Sequence, residues 1–127
     1  MAKQFNTFTG SQKGITYVGS KGYAYSGVLS VDNTVTTLLE FKTELDKPLI
    51  GKLIVAYDSE SADNMEFVLL YNNVKVYIVT IGDRAEGTPF TPIDIIIPPS
   101  TVCIVTCANI DNTNSRDMLC HIVGSIK

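Results

Sequence analysis

No window of eleven or more residues in this chain carries apolar side chains at sustained helical spacing. What recurs instead is short runs of Val, Ile, Thr, Tyr and Phe in which polar and apolar residues alternate. A period of two puts every second side chain on one face of a strand, so each run has a wet face and a dry one. Such strands must pair and stack to hide their dry faces, which directs the chain to an all-β fold.

Punctuation places the runs. Candidate strands are Ile15 to Val18, then Tyr23 to Leu29 after the turn-forming Ser20–Gly22, then Thr34 to Lys42 after Asp32-Asn33. Thr36 to Leu45 is the only stretch with any helical character, and its Thr-Thr-Leu-Leu-Glu-Phe-Lys-Thr order fits a strand at least as well. Pro48 opens Leu49 to Tyr57, where Leu53, Val55 and Tyr57 share one face and Lys52 and Ile54 the other. Gly51 inside that run signals a bulge or a close backbone approach.

Met65 to Tyr71 and Val74 to Ile81 flank Asn72-Asn73. Asn accepts positive φ, so these two residues predict a tight hairpin turn. Ile93 to Ile97 is stopped by Pro98-Pro99, which have no N–H to give a ladder. Val102 to Ala108, a polar loop from Asn109 to Asp117, and Met118 to Ile126 complete the series. Eight or nine strands at irregular spacing, with no internal repeat, predict a single antiparallel β-sandwich over residues 15–127. Residues 1–14 are polar and read as an extended N-terminal arm, in which Phe5 and Phe8 want a surface to cover.

Charge and size narrow the function classes. At 127 residues the chain buries enough surface to fold without a disulfide or a metal. The formal net charge is −3 and the Lys and Arg residues are scattered, so no basic stripe invites nucleic acid. Apolar runs such as Val76–Val79 are far too short to cross a bilayer. The first thirty residues hold no apolar signal-peptide core, so synthesis in a cytoplasm is expected. Cys103 and Cys107 fall four apart on one face of a strand, too distant for a mutual disulfide, and with Cys120 the count is odd. The three read as reduced, buried thiols packing as small hydrophobes.

Chemistry-bearing constellations are sparse. His121 is the only histidine, and its neighbour Cys120 points to the opposite face of the same strand, so the two cannot form a nucleophile pair. Cysteines on the preceding strand read as buried, away from His121, and no Cys-x-x-Cys pair supports zinc. Two loops are rich in oxygen ligands: Asp58, Glu60 and Asp63, and Asp111, Thr113, Ser115 and Asp117. The second lacks the glycine at its sixth position and the distal Glu of a calcium loop, so both read as solvated loops. Six tyrosines (Tyr17, Tyr23, Tyr25, Tyr57, Tyr71 and Tyr77) offer rings for packing or for a sugar platform, with core or interface packing favoured. The expectation is no catalytic residue, no cofactor and no metal.

The run Pro92-Ile93-Asp94-Ile95-Ile96-Ile97-Pro98-Pro99-Ser100-Thr101-Val102, leading into Ile104-Val105-Thr106-Cys107-Ala108-Asn109 and closing on Ile122-Val123-Gly124, resembles small jelly-roll proteins on the virions of tailed bacteriophages. Head decoration (cement) proteins, head-spike bases and receptor-binding modules are of this kind. The upstream strands at Leu38–Phe41 and Leu49–Tyr57 and the Asn72-Asn73 hairpin fit the same order, so the resemblance spans about Thr36 to Ile126. It implies a jelly-roll sandwich that forms homotrimers. It also implies a non-enzymatic role in the virion, decorating or stabilising a capsid through contacts with the major capsid protein or another virion protein. The arm with Phe5 and Phe8 would suit anchoring on a neighbouring shell protein. A glycan- or receptor-binding module of a spike or tail is the alternative.

Overall fold

The computed structural model describes residues 15–58, 64–81, 92–110 and 113–126, and these contain ten strands and no helix. In chain order they are β1 (Thr16–Val18), β2 (Lys21–Tyr25), β3 (Leu29–Val31), β4 (Thr36–Lys42) and β5 (Leu49–Asp58). Then come β6 (Met65–Tyr71), β7 (Val74–Ile81), β8 (Ile93–Ile97), β9 (Val102–Asn109) and β10 (Arg116–Ile126). One sheet runs β1-β2-β10-β5-β8, with β3 also paired to β10; the other runs β4-β9-β6-β7, and every pairing is antiparallel. The residue-15 to residue-126 body is thus an all-β sandwich with jelly-roll strand order. The proposed arm, with Phe5 and Phe8, lies outside the described residues.

The topology is a long hairpin rolled up on itself. Its tip is Asn72-Asn73, where φ is 52° and 68°, the two positive angles of a type I′ turn. From that tip outward, β6 pairs β7, β5 pairs β8, β4 pairs β9 and β2 pairs β10, each pair nearly equidistant from the turn. Rolling the ribbon sends alternate pairs' strands to opposite sheets.

The strand count is ten because the expected Tyr23–Leu29 strand breaks in two. Gly27 takes φ 73°, which no ladder residue adopts, and the chain kinks between β2 and β3. Ser26 bridges the gap: its N–H donates to the Cys120 carbonyl at 2.9 Å, and its Oγ accepts from the Cys120 N–H at 2.9 Å. Both halves therefore stay on β10, β2 against His121–Ser125 and β3 against Arg116–Met118.

The core lies between the sheets. Leu53, Val55, Ile122, Cys120 and Met118 face it from one side, and Phe67, Leu69, Val105, Cys103 and Cys107 from the other. Where β4 leaves its sheet, Thr43 and Thr101 are buried and satisfied by one another. The Thr101 N–H donates to Thr43 Oγ1 at 2.9 Å, and Thr43 Oγ1 donates to the Pro98 carbonyl at 2.7 Å.

Candidate functional site

Alternation on β10 separates the groups that nucleophilic chemistry would need together. His121 faces outward from the six-stranded sheet, while Cys120 faces the core. Cys103 and Cys107 also face the core, from the opposite sheet, and all three thiols are free and buried. Burial pushes the Cys103 and Cys107 thiols up to about 12 and raises Cys120 further still. They stay protonated at neutral pH and serve as packing groups. Among the described residues, no set of three or more His, Cys, Asp or Glu side chains is placed to hold a metal ion.

The outward face of the six-stranded sheet is the surface with the most to offer a ligand. Cross-strand register lays its side chains out in rows. One row is Tyr25, His121 and Ile54; the next is Tyr23, Val123, Lys52 and Asp94; the third is Lys21, Ser125, Ile50 and Ile96. The Tyr23 and Tyr25 rings stack with centroids 6.3 Å apart, and each meets the His121 ring at about 6 Å. These contacts half-bury the imidazole, and burial holds its pKa below the ordinary 6.5, so it is neutral at physiological pH. Tyr23, Ile50 and Ile96 are 42%, 40% and 62% exposed, an apolar density unusual for a face open to water.

A glycine row lies beneath this face, at core-facing positions. Gly22, Gly124 and Gly51 sit side by side on β2, β10 and β5. A side chain at Gly22 would meet Ile15, Leu49 and Tyr17, each at 3.1 Å. At Gly51 and Gly124 the neighbouring backbone itself fills the space. Over this row the outer face holds an open depression of about 410 Å³, rimmed by Lys21, Tyr23, Lys52, Val123 and Ser125. Lys21 Nζ donates to Ser125 Oγ at 3.0 Å, and Lys52 pairs with Asp94 across to β8. Aromatic rings beside a rim of amines, hydroxyl and carboxylate can bind flat amphipathic ligands or another protein surface.

The six tyrosines divide by position. Tyr17 and Tyr71 pack against the core, and Tyr71 Oη donates to the Ile96 carbonyl at 2.8 Å, tying one sheet to the edge of the other. Tyr23 and Tyr25 form the outer cluster, Tyr77 is exposed on β7, and Tyr57 stands in β5 opposite Met118 of β10. Of the two acidic loops, Glu60, Asp63 and Asp111 lie outside the described residues. The base of the second is tied down by backbone, with the Asn109 N–H on the Asp32 carbonyl and the Ile110 N–H on the Asn64 carbonyl. The gathering of Tyr23, Tyr25 and His121 was missed from sequence because it needs the register of β2 on β10. The glycine row, by contrast, left one trace, Gly51.

No protein-family model matches this chain, and neither a curated protein nor a solved structure matches it.

Proposed function

We infer that the chain is a non-enzymatic virion structural protein, decorating or stabilising a bacteriophage capsid through protein–protein contacts. The observation that carries this reading is the outer face on which exposed Tyr23, Ile50 and Ile96 lie among Lys21, Lys52 and Asp94, a mixed surface suited to a broad contact with another virion subunit. The sequence resemblance supplies the virion context, since the sandwich alone hosts many functions. The partner is then the major capsid protein or a neighbour in the shell, and homotrimers are the expected assembly. The test is particle incorporation. Tyr23→Lys combined with Ile96→Lys should leave the protein folded and strip it from purified virions. Undiminished copy number on the particle would refute the assignment.

A second reading is favoured by the paired Tyr23 and Tyr25 rings beside the depression. Aromatic faces stack on the apolar faces of sugars, and the Lys21–Ser125 and Lys52–Asp94 rim can meet hydroxyls. In this reading the protein is a glycan-binding module of a spike or tail. Glycan-array binding that vanishes in Tyr23→Ala, with incorporation intact, would favour it over the first.

A further inference from the structure

A sheet edge exposes a row of N–H and C=O groups that another strand can pair with, and proteins normally guard such edges. Most free margins here are guarded. β1 and β3 are three residues long. β8 has five residues, carries Asp94 and runs into Pro98-Pro99. β4 breaks register between Thr37 and Leu39 and exposes Glu40 and Lys42. β7 differs: it is eight residues long and, among the described strands, pairs only with β6. Its exposed side chains include Val74, Val76, Tyr77 and Ile78. Its two guards, Lys75 and a register shift near Val76, both lie in its first half, and Tyr77–Ile81 has neither charge nor proline.

We propose that β7 pairs antiparallel with β7 of a second copy, joining two four-stranded sheets into one of eight strands across a two-fold axis. The occupant is a second copy for two reasons. Among the described edge strands, β7 is the longest and the one without guards along half its length, so between two molecules the matching edge is β7 itself. The strand also carries no acidic residue, so nothing on it calls for a basic partner or repels its own image. A two-fold perpendicular to the sheet must pass through a residue pair if like faces are to meet, and the contact is then closed and self-complementary. Centred on Ile78, the register sets Ile78 against its own counterpart and Tyr77 against Val79 of the partner subunit, on the C-terminal side of the register shift. Apolar residues meet, and the two Lys75 ammonium groups stay apart. This pairing is independent of what the outer face of the six-stranded sheet binds.

Sedimentation or light scattering of the full chain should give twice the 13.8 kDa subunit mass, or six times it where homotrimers pair through β7, and a three-subunit mass would overturn the pairing. Ile78→Lys and Val76→Lys should each halve that mass while far-UV dichroism stays unchanged. Leu45→Lys, an equally drastic change at an exposed site away from β7, should leave it alone. Hydrogen exchange gives a reading without any substitution: dilution should speed exchange at β7 amides and spare β5. A wild-type chain at single-subunit mass at high concentration, an assembly that Ile78→Lys does not reduce, or β7 amides indifferent to dilution would each overturn the proposal.

Discussion

A methyl group added at Gly51 would sit 1.9 Å from the Val123 carbonyl oxygen, and one at Gly124 would sit 2.5 Å from that of Ile50. Backbone cannot swing aside as a side chain can, so β5 and β10 would have to part. Gly51→Ala should therefore cost about 3 kcal/mol or more in urea unfolding. Gly22→Ala meets only side-chain methyls and a ring edge at 3.1 Å and should cost nearer 1 kcal/mol. His121 makes a different single-residue prediction. Because burial lowers its folded pKa, the unfolded chain binds its proton more readily. The stability His121 contributes is complete above its unfolded pKa of about 6.5 and fades as pH falls through the folded value. An NMR titration of the imidazole should show a midpoint below 6.5, and His121→Gln should flatten this part of the pH–stability curve. A midpoint at or above 6.5 would mean the Tyr23 and Tyr25 rings do not shield it.

Elements with strong punctuation were plain in the sequence. β6, β7 and β8 run between the residues expected, because a two-Asn turn and a Pro-Pro stop leave little freedom. The split of β2 from β3 was hidden, since alternation continues through Ser26 and only the φ of Gly27 betrays the break. The facing of Leu53 and Val55 on β5 is legible from alternation, that of β6 only in part. Val68 points away from the core, yet it is buried between Thr106 of β9 and Ile78 of β7, a shelter that exists only once three strands are in register. The outer cluster was illegible for the same reason: Tyr25 and His121 are 96 residues apart in sequence and become neighbours only through pairing. At the hairpin, Asn72 contributes more than its turn angle. Its N–H donates to the Val102 carbonyl at 2.8 Å, and its Oδ1 accepts from the Val102 N–H at 2.9 Å, stitching the tip to β9. Asn72→Ala loses that bond and the tolerance of positive φ, and should cost about 1–2 kcal/mol by chemical denaturation. Asn73→Gly should be neutral or slightly stabilising, because only the turn angle is at stake there.

For the molecule as a whole, nesting makes nearly every pairing outside the β6–β7 hairpin a long-range one. Folding dominated by such contacts is slow, so refolding is expected between about a millisecond and a second. Among the described strands, pairing closes a short loop at the tip and at the three-residue β1–β2 hairpin, and the longer β6–β7 ladder is the natural starting point. Stopped-flow measurements should find that Asn72→Ala slows folding, whereas Ala24→Gly in the last-closing β2 mainly hastens unfolding. The reverse assignment would place the first contacts at the outermost pair. Because the lanes run β1-β2-β10, the two ends of the described chain finish two lanes apart, with β2 between them. The Ile126 N–H donates to the Ser20 carbonyl at 2.7 Å, and Thr16 lies level with Val123 two lanes away, a gap of about 10 Å. Strand β1 runs parallel to β10, so the described chain enters at Ile15 and leaves at Ile126 in the same direction. Cargo spliced ahead of Ile15 would thus leave toward the opposite end of the sheet from cargo behind Ile126.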